Sequence, residues 1–305
     1  MKNILVTGAN GFIGQRLCKA LLSSGYNLKK LVRVINPLDE SEQYKCELEN
    51  STFPREAIEN IDVIFHLAGL AHDTSESSFS EKQYHLVNVD ATLRIATIAA
   101  KHKVKQFVFV SSVKAGGRPV EGCSDEDNQT DPRGVYASTK REAEIKLIEL
   151  GLKNNIHITI IRPALVYGPN VGGNLKLMLS SINSGWFPPL PNLRNKRSMI
   201  HVDNLISAFV LIMNNQDAYD EIFIATDGIP YSSREIYEEM CKLLGKKIPS
   251  WSVPYFLFKL LAKISVNMKH KVNKLFEDEC YSSKKLESIG FKPIKTLGDM
   301  NETNF

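Results

Sequence analysis

One octapeptide, Thr7-Gly8-Ala9-Asn10-Gly11-Phe12-Ile13-Gly14, constrains this chain more than any other stretch. It follows the apolar run Ile4-Leu5-Val6. It also opens a segment, Phe12 to Leu22, in which Ile13, Leu17 and Leu21 recur at helical spacing, with Gly25 as the stop. A strand that turns through glycine into a helix leaves backbone N–H groups unpaired, and the positive end of the helix dipole points the same way. An anion fits there. Gly8 permits the tight turn, Gly11 lets backbone approach a diphosphate, and Gly14 lets the helix pack closely on the strand. A purely structural turn is the alternative, and the strand-to-helix context speaks against it. Gly8, Asn10, Gly11, Phe12, Ile13 and Gly14 are therefore expected to hold a dinucleotide.

The rest of the first half repeats the alternation. Leu28–Val34, Asp62–Ala68, Phe107–Val110 and Ile156–Ile161 read as buried strands, and Val87–Lys101 and Tyr136–Leu150 as helices. Near-continuous apolar strands separated by helices imply a parallel sheet covered on both faces. Such sheets bind ligands beyond the carboxyl ends of their strands, which directs attention to Gly8, Gly69, Ser111-Ser112 and Pro163. After about residue 165 the texture changes to glycine- and proline-rich loops with short elements between them. Residues 1–165 are expected to form the dinucleotide-binding domain, with some later segments returning to it, and 166–305 mainly a substrate lobe.

Composition excludes several other classes. A chain of 305 residues, 43% apolar and 24% charged with net charge +4, is an ordinary globular protein with no bias toward nucleic acid. Five scattered cysteines without a CxxC pair read as free thiols in a reducing cytoplasm, with no zinc site and no disulfide framework. No run of about 18 apolar residues suggests a span, and the N-terminal run is too short for a signal peptide. His85 and His201 read as packed or capping, and Asp125-Glu126-Asp127 as a solvated acidic loop. Phe256, Leu257, Leu260, Leu261 and Ile264 form a stripe among lysines. We read it as a lobe helix packing its stripe and lining the substrate site, in preference to a basic helix lying on an anionic membrane.

The chemistry centres on Tyr136-Ala137-Ser138-Thr139-Lys140. Tyr136 and Lys140 leave the same helix face one turn apart. A phenol near pKa 10 is too weakly acidic to serve as base at neutral pH. A nearby ammonium and an oxidised nicotinamide ring would favour the phenolate. Tyr136 is then the general acid–base, Lys140 also holds the cofactor's ribose, and Ser112 hydrogen-bonds the reacting oxygen. At the end of the second strand an acidic residue would select NAD and an arginine would accept a 2′-phosphate. Arg33 stands there, so NADP is favoured slightly over NAD.

These motifs together resemble the extended short-chain dehydrogenases/reductases, the NAD-dependent epimerase/dehydratase family, over nearly the whole chain. The likeness adds His66–Gly69, Asn88, Arg162-Pro163…Val166-Tyr167-Gly168-Pro169, Arg197–Asn204, Ser283–Leu286 and Gly290–Pro293. It is closest to UDP-hexose 4-epimerases and to bacterial surface-polysaccharide 4-keto-sugar reductases, the latter through Ser112–Gly117. It implies a Rossmann-type doubly wound fold with a smaller C-terminal substrate lobe. It places Glu47 and Leu48 by the adenine, Leu67, Ala68, Gly69, Asn88 and Pro163 on the cofactor, and Asn174 and Arg197 on the nucleotide diphosphate. Val113 and Lys114 stand where the family's dehydratases carry Asp-Glu, which argues against dehydration. The expected activity is 4-epimerisation of a UDP-hexose or UDP-N-acetylhexosamine. Reduction of a UDP-4-keto-6-deoxy-hexosamine and a non-catalytic NADP sensor are the alternatives. By the same likeness the chain is expected to dimerise through the helices of Asn88 and Tyr136.

Overall fold

The computed structural model describes residues 1–50, 52–71, 79–120 and 122–300. Its strands are β1 (Asn3–Thr7), β2 (Asn27–Val32), β3 (Glu42–Lys45), β4 (Val63–His66), β5 (Gln106–Val110), β6 (His157–Pro163), β7 (Leu165–Tyr167), β8 (Arg197–His201), β9 (Ile222–Ala225) and β10 (Pro230–Tyr231). Its α-helices are α1 (Phe12–Ser23), α2 (Glu81–His85), α3 (Ala91–Lys101), α4 (Val135–Asn154), α5 (Gly173–Asn183), α6 (Val202–Asn214), α7 (Ser233–Leu243), α8 (Tyr255–Leu261), α9 (Val266–Phe276) and α10 (Lys284–Ser288). A π-helical turn, Leu86–Asp90, joins α2 to α3, so that Glu81 to Lys101 runs as one rod.

Seven strands form a parallel sheet in the order β3-β2-β1-β4-β5-β6-β9. The winding reverses between β1 and β4, whose chains run side by side with Thr7 opposite His66. The helices that follow them, α1 and α3, lie on opposite faces of the sheet, the arrangement that leaves a ligand crevice at the strand ends of doubly wound sheets. Both faces of the sheet are covered, which is why β4 and β5 are apolar almost throughout and buried at every residue. On one face α1 and α6 pack together and bury Leu17, Leu21, Phe209 and Ile212 against Ile4, Val6 and Phe65. On the other, α3 and α4 bury Ile95, Ala99, Ala143 and Leu147 against Leu5, Ile64, Phe107 and Phe109. β3 was not anticipated from the sequence. It is an edge strand, Glu42-Gln43-Tyr44-Lys45, with no buried residue, so it carries no apolar signature.

Residues beyond 165 divide between two places. β9, α6 and α10 join the main sheet and its layers. β7, β8 and β10 form a small sheet, and with α5, α7, α8 and α9 they enclose a second core around Met199, Ile236, Tyr237, Met240, Phe258 and Phe276.

Three expectations are corrected. The cysteines are not all free: Cys123 and Cys280, 157 residues apart, form a disulfide, while Cys18, Cys46 and Cys241 remain buried thiols. The loop after Gly117 runs parallel to the C-terminal segment, with Ser124 N–H donating to Cys280 O (3.0 Å) and Ser282 N–H to Ser124 O (2.9 Å), and spacing along the chain cannot show that neighbourhood. The thiol argument for a reducing compartment falls with it. Glu126 is not solvated: it is buried, accepts from Ile224 N–H, and has its pKa raised by burial. The stripe of α8 and the turn after it is not packed: Phe256, Leu257, Leu260, Leu261 and Ile264 are all exposed, while Phe258 enters the lobe core with Tyr255 packed beside it. Among the described residues no helix is long and apolar enough to cross a membrane.

Candidate active site

The crevice between β1 and β4 is lined first by the glycine turn. Gly8 has φ +69°, and a Cβ there would stand 2.8 Å from Ala68 N, so the loops after β1 and β4 touch through it. A Cβ at Gly14 would stand 2.2 Å from Gly8 O, which makes the close seating of α1 on the turn specific to glycine. Gly11 precedes the first turn of α1 with no side-chain cap, and no acidic residue lies in that turn. Its first N–H groups are therefore without a side-chain acceptor, the donor set a diphosphate requires. Asn10 Nδ2 donates to Val34 O (3.2 Å), tying the turn to the end of β2. Phe12 packs toward the lobe core and Ile13 toward the sheet core.

The second wall comes from β5 and α4. Lys140 is buried, and its Nζ donates to Val110 O (2.9 Å), lies 4.5 Å from the Phe109 ring centre, and comes within 3.4 Å of where a Cβ on Gly69 would stand. The amine thus sits between the carboxyl ends of β4 and β5. Burial lowers its pKa to about 8, with the Glu144 carboxylate one turn on acting in the opposite direction. Tyr136 hydrogen-bonds Ser112. Burial pushes its pKa up to about 12, and the Ser112 hydrogen bond acts against that rise. Lys140 is not among the groups that shift Tyr136: its pKa, about 8, lies below that of the phenol, so the amine is already neutral where the phenol would ionise. The expected lowering of the phenol by this lysine is thus absent from the protein alone. Ser112 Oγ also accepts from Lys114 N–H (3.3 Å), capping the short turn Val113–Gly116. The neighbouring Ser111 hydroxyl is buried without a hydrogen-bond partner among the described residues.

Beneath these groups lies a buried ion pair. Arg162 Nε donates to Glu144 Oε1 (2.9 Å), its Nη2 meets Glu144 Oε2, and both side chains are about 1% exposed. Sequence reading quoted Arg162 but missed Glu144, which looks like one more charge on a charged helix. Asp227, in the loop between β9 and β10, carried no motif to mark it. It accepts from Tyr167 Oη (2.7 Å), Asn204 Nδ2 (2.7 Å) and His201 N–H (2.9 Å), drawing together three of the quoted residues.

Asn88 is buried in the π-helical turn. Its Oδ1 accepts from Leu70 N–H (2.8 Å) and its Nδ2 donates to Leu70 O (3.1 Å), fixing the Leu67-Ala68-Gly69 loop beside Gly8. Pro163 ends β6, buried. Arg33 follows β2, exposed and without an ion pair among the described residues. Glu47 is exposed and Leu48 buried, both on the segment after β3, where Leu48 O accepts from Arg94 Nη2 (2.8 Å). Asn174 is exposed in the first turn of α5. Arg197 is buried, and its guanidinium is already engaged: Nη1 donates to Lys274 O, and Nη2 to Glu279 Oε2 (3.0 Å). In this structure it clasps α9 and the segment after it.

Comparison with known proteins shows the family and the fold. Residues 4–225 match the model of the NAD dependent epimerase/dehydratase family. A UDP-glucose 4-epimerase of Vibrio cholerae is 31% identical over 307 aligned residues, 97% of this chain and 92% of that protein. The N-acetyl-alpha-D-glucosaminyl-diphospho-ditrans,octacis-undecaprenol 4-epimerase of Escherichia coli O157:H7 is 28% identical, again over 97% and 92%. The crystal structure of a UDP-glucuronic acid 4-epimerase from Bacillus cereus, in complex with UDP-glucuronic acid and NAD, superposes with a TM-score of 0.79 at 22% identity, covering 98% of this chain and 96% of that one.

Proposed function

Because the chain belongs to the NAD-dependent epimerase/dehydratase family, we propose that it is a 4-epimerase of a UDP-hexose or UDP-N-acetylhexosamine. The observation that carries this reading is the meeting of Tyr136 with Ser112 at the end of β5, with Lys140 between the ends of β4 and β5, next to an uncapped helix N-terminus. The Gly8–Gly14 turn, with Leu67–Gly69, Asn88, Lys140 and Pro163, would hold the cofactor, which would supply the removal and return of hydride at the sugar carbon. Glu47 and Leu48 are assigned to the adenine side, and Asn174 and Arg197 to the nucleotide diphosphate. Arg197 takes that role by giving up contacts it now makes with α9.

Tyr136 takes the proton from the C4 hydroxyl and later returns it, and Ser112 holds the oxygen in place. A phenol near pKa 12 keeps its proton in the unliganded site, so the base form must be stabilised by positive charge arriving with the ligands. Lys140, poised near pKa 8, can meet that demand if its amine turns from Val110 O toward the phenol and ribose. Tyr136→Phe is expected to cut turnover by about 10²–10⁴-fold while cofactor binding persists. Survival of turnover would remove the mechanism.

The decisive assay incubates the purified protein with UDP-glucose or UDP-N-acetylglucosamine and follows the sugars by NMR. Interconversion of C4 epimers without net NAD(P)H consumption supports the reading. A specific observation favours a second reading, a 4-keto-sugar reductase: Arg33 stands beyond β2 with no ion pair among the described residues, and β2 itself carries no carboxylate. Stoichiometric oxidation of NADPH by a 4-keto-sugar, weakened by Arg33→Ala, would establish that reading in place of the first. Dimerisation through α3 and α4 is supported by exposed Ile145, Ile148 and Leu152 along the outer face of α4.

A further inference from the structure

The lobe turns an apolar, strongly basic surface to solvent, and neither the catalytic site nor the α4 face accounts for it. α8 is held by one side: Phe258 is buried, with its ring centre 5.0 Å from that of Phe276, and Tyr255 lies 5.2 Å from the same ring. The other side is left open. Phe256, Leu257, Leu260 and Leu261 are 59%, 40%, 53% and 40% exposed, and Ile264 in the following turn and Val266 at the start of α9 are 71% and 73% exposed. At about 100° per residue, Phe256 and Leu260 fall opposite Phe258 and Leu257 to its side, while Ile264 lies in the turn that follows the helix. Scattered exposed apolar residues need no explanation, but six within eleven consecutive positions form a patch of the kind that marks a contact surface.

The charge around the patch selects its partner. Eight of the chain's 38 basic residues and none of its 34 acidic ones fall between Met240 and Phe276, so this stretch carries +8 while the remainder of a chain whose total is +4 carries −4. Lys263, Lys269 and Lys271 are exposed and, among the described residues, their ammonium groups make no ion pair or hydrogen bond. Lys259 lays its ammonium 4.8 Å from the Tyr255 ring centre on the flank of the stripe. A symmetric contact between two copies through this face would set its unpaired lysines against those of the second copy. The α4 face, with Glu142, Glu149, Lys146 and Lys153 around its apolar residues, carries no such penalty. Apolar side chains flanked by unpaired lysines suit one environment in particular. The acyl boundary of a bilayer takes up the hydrocarbon while the ammonium groups reach the anionic head groups.

We propose that the α8–α9 surface docks the protein peripherally on an anionic phospholipid membrane, with Phe256, Leu260 and Ile264 inserted at the interface and Lys263, Lys269 and Lys271 on the lipid phosphates. This stands apart from the reading of the active site, and vesicle binding tests it without reference to turnover. The full chain is sedimented with sucrose-loaded vesicles of phosphatidylcholine containing about one quarter phosphatidylglycerol, and with pure phosphatidylcholine, in low salt. Retention on the anionic vesicles and not on the neutral ones is expected. Lys263→Gln/Lys269→Gln/Lys271→Gln should weaken it by about 100-fold, at roughly fivefold per lysine near an anionic surface. Leu260→Asp/Ile264→Asp should abolish retention while the melting temperature and active-site chemistry stay at the parent's values. Failure of the parent to bind, or equal binding by the Asp variant, overturns the proposal. A parent dimer that the Asp variant converts to monomer, without vesicle binding, overturns it in favour of a second copy. Binding to polyglutamate but not to vesicles overturns it in favour of an acidic protein.

Discussion

Acid should loosen this fold through His66. The imidazole is fully buried, with Nδ1 2.8 Å from Thr7 Oγ1 and Nε2 2.9 Å from Thr92 Oγ1. The tautomer follows from the neighbours. Thr92 Oγ1 spends its proton on Asn88 O (2.9 Å), so it can only accept from Nε2–H. Thr7 Oγ1 accepts from Ala68 N–H (3.2 Å), which leaves its own proton to donate to Nδ1. A directed chain thus runs from the loop after β4, through β1 and His66, to the π-helical turn, and every member is satisfied with the ring neutral. A second ring proton would set two donors against each other. Burial, and secondarily the Lys140 charge, lowers the pKa of His66 from 6.5 to about 3. The folded value lies below the unfolded one, so the stabilisation is complete above pH 6.5 and is lost as pH falls toward 3. The full difference is up to about 5 kcal/mol, at about 1.36 kcal/mol per unit, and about 3 kcal/mol of it should be gone at pH 4.5. Urea unfolding of the parent and of His66→Gln at pH 7.5 and 4.5 measures this. The parent should lose about 3 kcal/mol more than the variant over that interval. Equal losses, or an imidazole Cε1–H NMR signal from His66 that titrates above pH 5, would refute the account.

Glu144→Gln leaves Arg162 buried without its counter-charge and should cost about 3–5 kcal/mol of unfolding free energy, whereas Glu144→Leu/Arg162→Met should recover most of it. Denaturant melts of the three proteins check this. Alkylation with iodoacetamide under denaturing, non-reducing conditions should add three groups per chain by mass spectrometry, and five after reduction. Ile148→Asp, on the outer face of α4, should shift a dimer toward monomer in sedimentation equilibrium while leaving the fold intact.

What could be read from the sequence follows from what the sheet buries. β1, β2, β4, β5 and β6 lie inside two helical layers, so their apolar runs announce them, and the glycine turn identifies the crevice because its backbone demands are local. β3 was invisible because an edge strand of half-exposed polar residues has no periodicity. The partnerships of Glu144 with Arg162, of Asp227 with Tyr167 and His201, and of Cys123 with Cys280 join positions far apart or otherwise unremarkable, so only the folded geometry displays them. The α8 stripe misled for a different reason: periodicity shows that a helix has an apolar face, and is silent on what the face meets.

The wide turn at Leu86–Asp90 gives the chain length a structural meaning here. It holds one residue more than an α-helical path would. Deleting one position between Leu86 and Asp90 would let a regular helix form from Glu81 to Lys101 and swing α2 about 100° around the shared axis. His85 would leave Glu142 on α4, which its Nε2 now meets at 3.1 Å, and Asn88 would lose its aim at Leu70. The inserted residue works as an angular offset between two stretches of helix, so at this point in the fold a shift in length would do more damage than most changes of side chain.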